Sequence, residues 1–266
     1  EHTGRYFNHN VHSVRVLDDM VNWNISLQTL DGILCHNGEL ELKEYRPCEM
    51  STFVEYDKKV EACYVDENAI GELIPCTLEG CVMRICDIIA YLGKDRQDAM
   101  RLNLLKESPF TAGAIGTSNG EIINNFSVNI IENSYGKDYL KMDEEYFDAL
   151  RQAKKENYEM IYNNKSLNDL YENEIRPMFG ELYEELLRQA ESGDKSSVFY
   201  RHHMAYMEKN NFYVKSHVRK PYAEQEKNQL VVDYLASMTD DYFIALYHYL
   251  FPKGKHDVKF VGYFDL

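Results

Sequence analysis

No apolar run in this chain approaches the roughly 18 residues that a membrane-crossing helix needs, and no charged-then-apolar leader opens it, so a cytoplasmic, membrane-free protein is expected. An excess of positive charge is also missing. With 29 Lys and Arg against 44 Asp and Glu, a formal net charge of −15, the surface is unsuited to a general nucleic-acid binder. A phosphate ligand would then need local cations, either a metal ion or a basic cluster such as Lys215, His217, Arg219 and Lys220. The six cysteines (Cys35, Cys48, Cys63, Cys76, Cys81, Cys86) contain no Cys-x-x-Cys pair. Cys76, Cys81 and Cys86 recur every five residues, so on a helix each turns about 140° from the last and they do not converge on one ion. They read as buried, reduced thiols. Internal repeats, low-complexity tracts and linkers are absent as well, which excludes solenoids and tethered tails.

What remains is ample for a folded core. The chain has 266 residues, is 44% hydrophobic, and carries 21 Tyr and 12 Phe beside a single Trp. Its patterns are helical. His9 opens an amphipathic segment with Val11, Val14, Leu17 and Val21 inward; a histidine there reads either as a surface or capping residue or as one touching a bound anion. Ser26 caps a helix that Gly38 stops. Residues 39–75 form a loop with one short helix near 52–62. Thr77 opens a central helix to Leu92, with Gly93 as a kink before a continuation to about Leu105. The small-residue stretch 108–120 is a connector and lacks the Gly-Lys-Ser/Thr ending of a phosphate loop. Ser118 with Glu121 forms a capping box, Asp143 starts the next helix, and Pro177 breaks or kinks the one after Ser166. Helices follow over 197–207 and 225–251, ended by Pro252, and residues 258–264 form a strand-like tail. The fold class is all-α. Residues 1–106 and 107–266 are the expected parts, as two domains or as one.

The central helix carries the most chemistry. At 100° per residue, Asp87, Tyr91, Asp95 and Asp98 fall at about 0°, 40°, 80° and 20°, one narrow wall. With Ile88, Ile89 and Leu92 buried, that wall faces either solvent or a cleft where carboxylates need a cation or a ligand hydroxyl.

Several segments resemble one family. Phe7-Asn8-His9-Asn10-Val11-His12-Ser13-Val14-Arg15-Val16 is similar to the Phe-x-His-Asn-x-Gln-Ser-x-Arg signature of the HD-domain deoxynucleoside triphosphate triphosphohydrolases of the dGTPase type, with His12 where glutamine is usual. Leu30-Asp31-Gly32-Ile33-Leu34-Cys35-His36-Asn37-Gly38-Glu39 resembles the segment that follows. Asp87-Ile88-Ile89-Ala90-Tyr91 resembles Asp-x-Ile-Ala-Tyr, and Lys94 precedes Asp95 where that family often has histidine. Val232-Asp233-Tyr234-Leu235-Ala236-Ser237-Met238-Thr239-Asp240 is similar to its late Asp-Tyr-Ile-Ala-Gly-Met-Thr-Asp stretch.

The resemblance implies an HD-like helical bundle with additional C-terminal helices and a metal-dependent hydrolase that cleaves a dNTP into deoxynucleoside and triphosphate. The alternatives are a nucleotide-binding or regulatory relative, gripping a triphosphate or a subunit through the basic-aromatic run 212–222, or an HD phosphohydrolase acting on monophosphates or alarmones. It implies Asp87 as the last protein ligand of a divalent metal (Mg, Mn or a transition metal), Tyr91 packed on the deoxyribose, Asp95 on its 3′-hydroxyl, His9 on the phosphate side, and a homo-oligomer. That family's His and His-Asp ligands precede the Phe-x-His-Asn signature, so this chain is expected to be either the later part of a longer protein, the favoured reading, or a remnant that cannot hold the metal. The literal His256-Asp257 pair sits at the wrong end and reads as chance.

Overall fold

Side-chain caps fix where the helices begin, and most are the ones the residues announce. Ser26 accepts from the Thr29 amide at 3.3 Å and opens α2, Leu27–Leu34. Thr77 accepts from the Gly80 amide and opens α4, Leu78–Arg101. Ser118 and Glu121 form the expected capping box of α5, Asn119–Ser134, and Asp143 caps α6, Glu144–Asn157. Thr52 and Glu55 make a second box at the start of α3, Phe53–Val65. Each cap satisfies backbone N–H groups that the first turn leaves without partners.

The computed structural model describes residues 4–37, 41–105, 109–210 and 221–258. Gly38, the basic run up to residue 220 and the tail beyond Val258 lie outside them. The chain forms two compact units. The first takes residues 6–14 and 25–164, and the second residues 4–5, 15–24 and 165–258. The boundary expected at 106–107 lies inside the first unit, because Ile88 and Leu92 of α4 share one core with Ile122 and Phe126 of α5 and Leu150 of α6.

The first unit contains α1 (His9–Arg15, up to Val14), α2, α3, α4, α5 and α6. Val11, Leu30, Leu34, Tyr56 and Leu73 build a second apolar cluster around α1 to α3. Two residues of β1, Glu44–Tyr45, pair antiparallel with β2, Leu140–Lys141; Glu44 lies opposite Lys141 and Tyr45 opposite Leu140. These short strands were not foreseen. All else regular among the described residues is helical, as expected for an all-α chain.

The second unit comprises α7 (Lys165–Leu170), α8 (Arg176–Ser192), α9 (Ala205–Asn210), α10 (Lys227–Ala236) and α11 (Asp240–Leu250). Met178, Leu182 and Leu186 of α8 bury against Leu230 and Val231 of α10 and Leu246 and Tyr247 of α11. Gly193 ends α8 at φ 67°, the left-handed conformation a C-terminal glycine adopts without strain. Pro177 does not break its helix. A wide π-helical turn over Tyr171–Ile175 precedes it, so the proline falls in the first turn of α8, where its missing N–H costs little.

Gly93 is not a kink either: α4 runs through it without interruption. A Cβ there would lie 2.6 Å from Asn119 Oδ1 and 2.8 Å from Asn119 Cα, so the glycine is a notch that admits the start of α5. Among the cysteines, all free, Cys35, Cys63 and Cys81 are buried, whereas Cys86 lies exposed on the outward side of α4. No helix among the described residues is long and apolar enough to cross a membrane.

Candidate functional site

The wall predicted on α4 exists, and its members have different surroundings. Asp87, Tyr91, Asp95 and Asp98 are all half-buried along one side of the unbroken helix. Asp98 is bound at 2.6 Å by Lys94 one turn before it, a solvated pair with little energetic weight. Asp87 has no hydrogen-bond or ion-pair partner among the described residues. Tyr91 lines a cleft of about 380 Å³ together with Asn37, Lys154, Tyr158 and Tyr162. Asp95 stands at its edge and accepts the Tyr162 hydroxyl. Burial, then the hydrogen bond to Asp95, pushes the Tyr162 hydroxyl upward, so it keeps its proton and donates.

The opposite wall comes from α6 and the five-residue π-helical turn that extends it, Tyr158–Tyr162. Lys154, Tyr158 and Tyr162 recur every four residues, a signal open to sequence reasoning and missed by it. The wide turn matters for their alignment. At about 100° per residue up to Tyr158 and roughly 80° across the π turn, Tyr162 returns to within about 10° of the line of Lys154; an unbroken α-helix would carry it about 80° away. Tyr158 and Tyr162 meet edge to face with centroids 5.5 Å apart. Lys154 is ion-paired with Glu41, which hydrogen bonding and charge from Lys154 hold below the usual carboxylate range against the effect of burial. A broader opening of about 760 Å³ shares Lys154 and Tyr158 and continues over Glu41, Arg151, Gln152 and Asn163.

A buried polar cluster fixes α6 against α4. Arg96 donates to Asn157 Oδ1 at 2.8 Å and Glu156 Oε2 at 3.1 Å, Asn157 donates to the Leu92 carbonyl at 3.1 Å, and Phe110 lies under the guanidinium with its centroid 4.1 Å away. Burial alone would raise Glu156, but hydrogen bonds from Gln152 and Thr111 and the charge of Arg96 hold it low. The carboxylate and cation therefore stay ionised as a pair. This cluster sets the separation between the Tyr91 and Tyr162 faces.

His9 reaches the same end of the cleft through Asn37, whose side-chain amide lies 3.4 Å from His9 Nε2. The His36 ring meets the His9 ring edge-on, with centroids 5.2 Å apart. Since α1 has only seven residues, its dipole adds little for an anion. The structure thus brings His9, Tyr91 and Asp95 to one neighbourhood, while Asp87 lies one turn before Tyr91 and outside the cleft lining. The described residues contain no group of three or more His, Cys, Asp or Glu side chains able to hold a metal ion.

Other residues in the same signatures hold the fold. Asn10 donates to the Leu34 carbonyl at 2.7 Å, and buried Asp31 accepts from Lys59 Nζ and the Cys76 amide, both at 2.6 Å. Burial, with Asp31 nearby, pushes the Cys35 thiol up to about 12, so it stays protonated. In the second unit, Arg15 forks onto Asp233 with two 2.7 Å bonds. Tyr222 adds a third donor to Asp233 at 3.0 Å, and His203 Nε2 lies 2.7 Å from the Tyr222 hydroxyl. His256 lies 3.1 Å from Glu174 and Asp257 3.2 Å from His248, so that His-Asp pair is engaged in local surface contacts.

Comparison with known proteins agrees with the motif resemblance. Residues 140–249 match the phosphohydrolase-associated domain family. The chain is 27% identical over 181 residues to a deoxyguanosinetriphosphate triphosphohydrolase-like protein of Caldanaerobacter subterraneus subsp. tengcongensis, covering 66% of this chain and 47% of that protein. To the like-named protein of Clostridium perfringens (strain SM101 / Type A) it is 26% identical over 249 residues, 89% of this chain and 58% of the relative. To that of Clostridium tetani it is 25% identical over 260 residues, 93% and 60% respectively. The resemblance read from the motifs is therefore borne out, and the chain spans about half to three fifths of the length of the curated relatives it matches. No solved structure matches it.

Proposed function

We propose that this chain forms the sugar- and phosphate-holding part of an enzyme that hydrolyses deoxynucleoside triphosphates to deoxynucleoside and triphosphate. The observation that carries the reading is the Tyr162–Asp95 contact at the edge of a cleft walled by Tyr91. Two tyrosine rings offer flat apolar faces to a deoxyribose, and a carboxylate with one donor already in place keeps lone pairs for a sugar hydroxyl. His9 offers a donor group to the phosphate chain. The names of the relatives support the same substrate class.

Asp87 is proposed as one ligand of a divalent cation. Its half-buried carboxylate lacks a partner among the described residues, which suits a cation, but those residues do not by themselves complete a coordination shell. Incubation with a dNTP and a divalent cation, followed by separation of the products, tests the reading. Inorganic triphosphate with deoxynucleoside is expected; orthophosphate or pyrophosphate would assign a different phosphohydrolase reaction. Asp87→Ala is expected to abolish turnover and weaken metal uptake, and a variant keeping both would remove it from the ligand set.

A further inference from the structure

We propose that His36 is a second contact for the phosphate chain, acting with His9 at the end of the cleft; this rests on the nucleotide reading above. His36 lies just beyond α2, and its Nδ1 is 2.6 Å from the Ile33 carbonyl oxygen. A carbonyl only accepts, so Nδ1 carries the proton, and in the neutral ring the lone pair is on Nε2. Nε2 has no hydrogen-bond partner among the described residues. A backbone anchor on one nitrogen with the other left open is how a histidine is oriented toward a ligand.

The neighbours define what this open nitrogen meets. His9 presents its ring edge-on at 5.2 Å, and Asn37, adjacent in sequence, joins His9 to the cleft lined by Tyr91. Two imidazoles so close repel each other when both are protonated, and an anion bound alongside the pair offsets that penalty. Lys154, the cation among the cleft-lining residues, is ion-paired with Glu41, which leaves the imidazole pair as the complementary donor set for a polyanion. With phosphate oxygens present, His36 keeps Nδ1–H on Ile33 and donates Nε2–H to the ligand.

The test uses the whole chain, ¹⁵N-labelled, titrated with sodium tripolyphosphate at constant ionic strength. The His36 Nε2 resonance is expected to move toward its protonated position together with His9, while buried His203 stays unchanged. His36→Gln and His36→Phe, the second keeping a ring against His9, are each expected to weaken tripolyphosphate binding about tenfold or more. Silent His36 resonances, or variants that bind within about twofold of wild type, would overturn the proposal. A parallel titration with 2′-deoxyguanosine, read at the Tyr91 and Tyr162 rings, tests the nucleotide reading separately. Nucleoside binding with a silent His36 removes only the phosphate contact; tripolyphosphate binding at His36 without nucleoside binding removes the sugar cleft and leaves an anion site.

Discussion

Arg15 and Asp233, 218 residues apart in the chain, are joined by two 2.7 Å hydrogen bonds, with the aspartate side chain fully buried. Both belong to segments that resemble phosphohydrolase signatures, yet each is consumed by the other. Arg15→Ala would leave Asp233 charged, buried and short of its fork, and is expected to destabilise the second unit by about 3–5 kcal/mol. Urea denaturation followed by circular dichroism measures this. A cost below about 1 kcal/mol would mean that Tyr222 and Gln229 suffice to hold the carboxylate.

The same network makes stability depend on pH. Burial lowers His203 from 6.5 to about 4, outweighing the charge of Asp233. Its folded pKa is depressed, so the unfolded chain takes up a proton that the folded chain refuses. Stability is full above about pH 6.5 and is lost as pH falls toward 4, by about 3 kcal/mol from this group. Denaturation midpoints between pH 7 and 4 should fall for the native chain and more shallowly for His203→Phe.

Gly93 offers a test with opposite signs. If the glycine were a flexible kink, Gly93→Ala would stabilise α4 by about 1 kcal/mol through helix propensity. Because its Cβ would lie 2.8 Å from backbone of Asn119, a loss of about 1–3 kcal/mol is expected instead. The thermal midpoint decides between them.

Tyr162 and Asp95 should act as a unit toward the sugar. Tyr162→Phe and Asp95→Asn are each expected to raise KM for deoxynucleotides several-fold, with the double variant costing less than the sum. Fully additive effects would mean that the hydroxyl and carboxylate serve different parts of the ligand.

Local features were legible in the sequence where they depend on a few neighbouring residues. Thr77, Ser118 with Glu121, and Asp143 announced their helices, because a cap is a contact spanning three residues. The wall of Asp87, Tyr91 and Asp95 was legible because helical phase fixes it. The partner wall showed only as the four-residue recurrence of Lys154, Tyr158 and Tyr162; its alignment was hidden, because the π turn at Tyr158–Tyr162 changes the phase by one residue and nothing in the local pattern marks that turn. Gly93 was misjudged because its reason lies in Asn119, in another helix. The Arg15–Asp233 pairing was likewise invisible, since no local pattern links residues so far apart.

The extra residue wound into the Tyr158–Tyr162 turn takes up one position of chain length without moving the phenol at its end off the line of Lys154. Deleting one residue there would let the coil relax to its ordinary pitch, and seven residues at about 100° each would still leave the terminal phenol within about 20° of the line of the Lys154 ammonium. A one-codon loss at that turn is therefore expected to leave the facing side chains aligned, whereas the same loss in the regular helix just before it would rotate the phenol by about 100°.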